Sequence, residues 1–290
     1  MRPECGGAAT TSTPAPERVV AMASRLARPP VLPRVSTLLC VLWAASAGLT
    51  IDWCVSMSAM GGMPMPGGWT MSMTWMRMPG QSWPGAAAAF LRMWLVMMVA
   101  MMLPALVPML SRYQRALGTA RRGHLGRLTT LVGTGYLCVW ALFGLVAFPL
   151  GAVLAEIAMR APAVARAMPM ATGVVVLIVG ALQFTAWKAR HLACCRGEHG
   201  HGGTPAHGAG AAWRHGLRLG LDCCCCCGSL MVLLLVGGAM DIAAMAAVTL
   251  AVTAERLARD GEPVARGVGF AIAGAGVLLV ARAAGLNWSG

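Results

Sequence analysis

Charged residues are scarce in this sequence, and acidic ones are the scarcest. Only 11% of the 290 residues are charged, and 10 Asp and Glu stand against 23 Lys and Arg, a formal net charge of +13. No hydrophilic block is long enough to fold as a soluble domain, and 58% of the residues are hydrophobic. With a mean hydropathy of +0.67, this composition excludes an ordinary soluble globule. We expect an all-α fold, a polytopic helical bundle in a lipid bilayer.

The usual signatures of catalysis are also missing. The sequence has no nucleophile paired with a base, no phosphate-binding loop and no pair of carboxylates in the setting of a pocket. Its basic residues fall between apolar runs instead of forming a nucleic-acid patch. We therefore expect a protein that is not an enzyme and that has no nucleic-acid partner.

Seven apolar runs are predicted to span the membrane. They cover residues 36–52, 86–111, 128–154, 170–187, 217–236, 241–254 and 264–284. Residues 1–35 are polar, Pro-rich and Arg-bearing, and are predicted to form a disordered cytoplasmic tail. We expect residues 36–285 to form a single transmembrane domain.

Positive charge orients the predicted spans. Arg and Lys cluster in the tail and in the segments after the second, fourth and sixth spans, whereas the alternate segments carry few. Because cytoplasmic segments carry the excess of basic residues, we expect the N-terminus in the cytoplasm and the C-terminus outside. Loop 53–85, which is rich in Met, is then external, and loop 188–216, which holds His and Cys, is cytoplasmic. Thiols on the cytoplasmic side stay reduced and are available to bind metal.

Five consecutive cysteines, at 223–227, are the strongest chemical signal in the chain. In a helix, Cys223, Cys226 and Cys227 lie at i, i+3 and i+4 and share one face. Thiolates are soft ligands that favour Cu(I), Zn or iron–sulfur centres. Cysteine also packs as a small apolar residue. Five in a row next to a His-rich loop favour a metal site over simple packing.

Methionine is the second soft ligand that this sequence concentrates. Loop 53–85 holds eight methionines among Trp, Gly and Pro: Met57, Met60, Met63, Met65, Met71, Met73, Met76 and Met78. In the second span, Met93, Met97 and Met101 form one helical stripe, and Met98 with Met102 forms the stripe beside it. Thioethers suit Cu(I) at a surface of variable pH, although methionine stripes also fill cores. We expect the loop to collect Cu(I) and the stripes to form its path.

Histidine and further sulfur complete the candidate metal ligands. His191 and Cys195 are spaced i, i+4, so that a helix end could bring both to one ion. Met231 follows the cysteine run, and Met240 precedes Asp241. The remaining histidines of the cytoplasmic loop are compatible with loose metal binding or with a plain solvated linker; they are His199, His201, His207 and His215.

Three stretches, at 94–104, 188–196 and 219–255, carry a resemblance to a known family. The chain resembles a bacterial family of predicted metal-binding integral membrane proteins. Some of its members are described as membrane copper chaperones that supply a tyrosinase-type polyphenol oxidase. The family's Met-Trp-x-x-Met-Met-x-Ala-Met-Met-x-Pro helix is present at 93–104.

The later motifs of that family match with substitutions. In its Lys and Cys-x-x-x-Cys-Arg element, Lys188, Cys195 and Arg196 fit, whereas His191 stands in place of the first Cys. In its Cys-x-Gly-Cys-Cys-Trp-x-Leu-Met run, Cys225 replaces Gly and Gly228 replaces Trp. The positions of that run that fit are Cys223, Cys226, Cys227, Leu230 and Met231. Further along, Asp241 stands for Asn and Glu255-Arg256 for Glu-Lys.

The resemblance implies a multi-pass protein of the bacterial inner membrane that binds Cu(I) and delivers it to an apo-cuproenzyme or a copper carrier. Zinc is the second choice of metal. Two other readings stay open at this point. One is a membrane thiol–disulfide oxidoreductase, in which cysteine pairs relay electrons. The other is a Zn or Ni permease that uses the His-rich loop.

Overall fold

The computed structural model of the chain describes residues 33–77, 80–116, 122–196, 208–238, 241–258 and 260–285. Most of the predicted tail 1–35 and the histidines His199, His201 and His207 lie outside these ranges, as do Met78 and Met240. The described part contains eight α-helices and one short hairpin. The helices are α1 (Pro33–Ala59), α2 (Trp83–Ala116), α3 (Arg122–Arg160), α4 (Pro162–Leu182), α5 (Ala186–Arg196), α6 (Ala209–Gly237), α7 (Ile242–Leu257) and α8 (Gly261–Ala283).

Six of these helices are long and apolar enough to cross a membrane: α1, α2, α3, α4, α6 and α8. This confirms the prediction of an all-α helical bundle. The count of spans differs from the expected seven because the sixth apolar run forms α7, which has 16 residues. A helix of that length rises about 24 Å, which is shorter than the hydrocarbon core of a bilayer.

Glycines let helices α3 and α6 approach until their backbones touch. A Cβ atom at Gly216 would collide with the carbonyl oxygen of Val132, and one at Gly135 would lie 2.8 Å from the carbonyl oxygen of Trp213. Small residues at a helix crossing permit this spacing. The contact brings Tyr136 of α3 onto the cysteine run of α6. Helices α4 and α8 pack in the same way, at Gly180 among others.

The core of the bundle is rich in sulfur and aromatic rings. Trp94 is fully buried and its indole nitrogen donates to the carbonyl oxygen of Trp140, at 2.8 Å. Methionines of α2 and cysteines of α6 belong to the same continuous cluster of buried side chains. Helix α2 packs mainly against α1, α3 and α7, while α6 packs against α3, α4, α5 and α7.

The segment between α1 and α2 is more regular than its Gly and Pro content predicts. Strands β1 (Met63–Met65) and β2 (Trp69–Met71) pair as an antiparallel hairpin, followed by a short 3-10 turn at Met73–Trp75. The turn of the hairpin uses Gly67 and Gly68, both at positive φ, a conformation that favours glycine.

Candidate metal centre

Four thiols from two helices meet in the interior of the bundle. Cys223, Cys226 and Cys227 have no exposed surface, and Cys195 is 3% exposed. The Sγ atom of Cys227 is in hydrogen-bond contact with those of Cys223 and Cys226, and Cys226 is in contact with Cys195. We call these four residues the thiol cluster.

The helical period explains which cysteines of the run join the cluster. Because α6 is continuous from Ala209 to Gly237, positions 223, 226 and 227 share its buried face. Cys224 and Cys225 are only partly buried. Cys195 comes from the last turn of α5, which packs directly against α6. The predicted i, i+3, i+4 arrangement is therefore present in the structure.

Arg256 of α7 inserts its guanidinium among the thiols. Its Nη2 atom donates to the Sγ atoms of both Cys195 and Cys227, at 3.5 Å each. Its Nη1 atom lies 3.8 Å from the Sδ atom of Met109 on α2. The cluster thus has a buried cation as an immediate neighbour.

Tyr136 of α3 also contacts the cluster. Its hydroxyl oxygen lies 3.0 Å from the Sγ atom of Cys223, and both residues are fully buried. This contact depends on the close crossing of α3 and α6 at their glycines. It fixes the position of one thiol without adding a charge.

A buried ion pair holds the three helices that carry the cluster. The Lys188 Nζ atom lies 2.7 Å from the Glu255 Oε2 atom and also donates to the carbonyl oxygen of Cys226, at 2.7 Å. Arg196 donates to the carbonyl oxygen of Glu255, at 3.1 Å. Helices α5, α6 and α7 are therefore tied together immediately beside the thiols.

The donor set of the cluster suits a soft ion, since it consists of thiol sulfur with one thioether nearby. Within the described ranges, no three His, Cys, Asp or Glu side chains already converge on one point as metal ligands do. The guanidinium of Arg256 contacts the Sγ atoms of both Cys195 and Cys227.

His191 lies beside the cluster but is not among its described contacts. Its Nδ1 atom is 3.6 Å from the Asp222 Oδ1 atom, and its ring packs edge-on against Trp187. The side chains of the pair are 23% and 25% exposed. The i, i+4 spacing of His191 and Cys195 is helical, as predicted. The structure joins the cysteine to the other thiols and places the histidine near a carboxylate without a hydrogen bond to it.

The methionine stripes lie in the core, near the thiols but on a different helix. Met97, Met98, Met101 and Met102 are buried, and Met93 packs against them. Helix α2 reaches the neighbourhood of the thiols through Met109, one residue after Pro108, whose Sδ atom contacts Arg256. Met231 is fully buried one helical turn after Cys227.

The methionines of residues 53–85 lie in different settings. Met65 and Met71 are buried in a small cluster with alanines of α3 and α4, and Trp69 donates to the carbonyl oxygen of Ala165 at 2.8 Å. A cavity of about 470 Å³ lies beside the hairpin. Its lining includes Met57, Met73 and the N-cap residue of α7, Asp241.

Two residues of the centre were not among the predicted ligands. Tyr136 lies in an ordinary apolar run, and Met109 continues the row of Met93, Met97 and Met101, eight residues after Met101. Arg256 stood out only as half of a Glu-Arg pair. All three reach the thiols through contacts between helices that are distant in sequence.

Comparison with protein families finds a match. A family model described as PpoB2, copper chaperone, matches residues 91–279, nearly two thirds of the chain. The matched range contains the whole thiol cluster, Tyr136 and Arg256, and it leaves out α1 and the hairpin. Comparison with curated proteins and with solved structures finds no match.

Proposed function

Because the chain belongs to the PpoB2 copper chaperone family, we propose that it is a membrane-embedded Cu(I)-binding protein that passes the ion to a cuproenzyme or a copper carrier. The observation that carries this proposal is the buried cluster of Cys195, Cys223, Cys226 and Cys227. Cysteine thiolates select soft ions such as Cu(I). The proposed role is binding and transfer, without a catalytic step.

The surface of the bundle supports embedding in a bilayer. Large apolar side chains are exposed along several of the long helices, for example Leu38 at 69%, Leu150 at 67% and Phe270 at 71%. A soluble monomer rarely exposes so much apolar surface, whereas lipid covers it at no cost. The charge bias proposed from the sequence places the hairpin outside and the thiol cluster in the cytoplasmic half of the bundle.

Sulfur atoms offer a route between these two regions. In the proposed path, Cu(I) is taken up by methionines near the hairpin, moves along the stripes of α2 and reaches the cluster at Met109 and Arg256. Weak thioether sites suit conduction, because an ion must leave each site as well as bind it. Thiolates bind Cu(I) more tightly than thioethers, so that the cluster is the proposed holding site.

Metal binding by the purified protein tests this function. In detergent and under reducing conditions, the amount of Cu(I) bound per chain is measured by competition with a chromogenic chelator, with Zn(II) in parallel. We expect one tight Cu(I) site that is lost in the triple variant C223S/C226S/C227S. The control is C40S/C138S, which removes two thiols of α1 and α3 that lie outside the cluster.

Other outcomes assign other functions. Full Cu(I) binding by the triple variant would contradict the assignment of the site. A protein without Cu(I) binding whose cluster cycles between thiol and disulfide would be an oxidoreductase. Tight Zn(II) binding without Cu(I) binding would favour the hypothesis that the protein is a Zn or Ni permease.

A further inference from the structure

We propose that Arg256 determines the metal specificity of the thiol cluster. Its fixed positive charge balances the anionic complex that a monovalent ion forms with two thiolates, and it thereby favours Cu(I) over Zn(II). The inference rests on the proposed function, because it requires that the cluster binds a metal ion.

The contacts of Arg256 are unusual for a buried arginine. Its side chain is 8% exposed, and the described partners of its terminal nitrogens are the sulfur atoms of Cys195, Cys227 and Met109. The Nε atom is buried and has no hydrogen-bond partner among the described residues. A buried guanidinium normally has a carboxylate partner that offsets the loss of hydration. In this protein, sulfur atoms are the described partners of the guanidinium in place of a carboxylate.

The nearest acidic residue does not neutralise this charge. Glu255 precedes Arg256 in α7, but its carboxylate pairs with the Lys188 ammonium, at 2.7 Å. Gln183 approaches the same carboxylate, at 3.5 Å. The pair of Lys188 and Glu255 is neutral as a unit. The charge of Arg256 is therefore left for the thiol cluster to balance.

Simple charge arithmetic then distinguishes the two ions. Cu(I) with two thiolates carries a single negative charge, which the guanidinium cancels. Zn(II) with the same two thiolates is neutral and leaves the positive charge of Arg256 buried without compensation. Because burying an uncompensated charge is costly, the cluster favours the monovalent complex.

A third thiolate would remove the difference in charge, and the comparison then depends on the fourth ligand of Zn(II). Zn(II) prefers four ligands in a tetrahedral shell, and four thiolates exceed the charge of Zn(II) and Arg256 together by one. Three thiolates would balance the charge but leave the fourth position to a neutral donor. The neutral side chains beside the thiols are Tyr136 and Met109, and neither is a common zinc ligand.

The position of the guanidinium strengthens this role. Its Nη2 atom contacts sulfur atoms of two helices, Cys195 of α5 and Cys227 of α6. An ion that bridges these two sulfur atoms would bind directly beside the positive charge. At that distance the charge acts on the metal complex with little screening by water.

The test compares Cu(I) and Zn(II) affinities in three variants of the full chain in detergent. R256Q removes the charge and keeps a polar side chain, R256K keeps the charge, and R266Q removes an exposed arginine of α8 that pairs with Glu262. We expect R256Q to lower the ratio of Cu(I) to Zn(II) affinity on the order of 10- to 100-fold. R256K and R266Q should keep the wild-type ratio within about threefold, because both retain the positive charge at position 256.

The ratio separates a charge effect from a structural one. If R256Q weakens the binding of both ions equally, or leaves both unchanged, Arg256 does not determine specificity and the inference is wrong. Loss of the wild-type affinity ratio in R256K would also overturn the inference. It would show that the positive charge at position 256 does not determine the preference for Cu(I). Absence of Cu(I) binding in the wild-type protein would overturn the proposed function itself. The wild-type measurement alone shows that outcome, so it is distinguishable from a failure of the inference about Arg256.

Discussion

The hydroxyl oxygen of Tyr136 and the Sγ atom of Cys223 lie 3.0 Å apart in a fully buried contact between α3 and α6. Removing the hydroxyl in Y136F leaves Cys223 without this partner. We expect a loss of about 1 kcal/mol in the free energy of unfolding, the usual contribution of one hydrogen bond. We also expect about 10-fold weaker Cu(I) binding, because groups that orient a metal ligand affect affinity on this scale.

A second buried tyrosine provides the matched control for Y136F. The hydroxyl of Tyr113 is buried and has no hydrogen-bond partner among the described residues. Y113F should therefore leave both stability and Cu(I) affinity at the wild-type level or raise stability slightly. Thermal unfolding in detergent and chelator competition measure the two quantities. Equal behaviour of the two variants would show that the contact with Cys223 does not matter.

The crossing of α3 and α6 depends on Gly216. A methyl group there would collide with the carbonyl oxygen of Val132, so G216A should force the helices apart. We expect the variant to lose about 1–3 kcal/mol, as overpacked cores do, and to bind Cu(I) more weakly because Tyr136 moves with α3. Gly210 lies on the same helix with open space around it, and G210A should have no such effect. Thermal unfolding of both variants checks the difference, and similar losses would contradict it.

Removing one partner of the ion pair of Lys188 and Glu255 should destabilise the fold more than removing both partners. E255Q leaves the ammonium buried without a counter-charge, and we expect a loss of about 3–5 kcal/mol. The double variant K188M/E255L removes both charges and should recover much of that loss. Chemical unfolding of K188M, E255L and K188M/E255L measures the coupling, and E255Q is measured in parallel. The exposed pair of Glu156 and Arg160 is the control, since E156Q should cost less than about 1 kcal/mol.

If the methionine stripes of α2 form the copper path, they should affect the rate of transfer and not the final affinity. M97L/M101L preserves the volume of two buried side chains and should change stability by less than about 1.5 kcal/mol per site. We expect unchanged Cu(I) affinity at the thiol cluster and slower loading across the membrane of proteoliposomes. M159L, near the end of α3, is the control. Unchanged loading in M97L/M101L would remove the stripes from the path.

Contacts between residues close in sequence could be predicted for this protein, whereas contacts between distant segments could not. The face shared by Cys223, Cys226 and Cys227 follows from the helical period alone, and the structure confirms it. Cys195 was predicted from its i, i+4 spacing to His191, and the motif of a known family also includes it. By contrast, the contacts of Arg256 and Tyr136 depend on how helices pack, and no local pattern encodes that packing.

Two further differences between the predicted and the observed fold concern the length of one helix and the conformation of one segment. The sixth apolar run was expected to span the membrane, but α7 has only 16 residues and begins at an Asp241 cap. Residues 53–85 were expected to form a loop with mobile Gly and Pro joints. Gly67 and Gly68 instead form the turn of a hairpin that Trp69 anchors to α4. The same glycines that suggest irregular structure are what a tight turn requires.

The complete burial of the thiols also governs how fast the protein can work. A recipient must touch the ion with its own sulfur to take it, and Cys223, Cys226 and Cys227 expose no surface. If the cluster holds Cu(I), transfer to a recipient therefore requires a helix to move, a collective motion in the microsecond-to-millisecond range. Helix α5, with 11 residues, is the shortest of the described α-helices and carries Cys195. The rate of such an opening would limit how fast the proposed transfer can proceed.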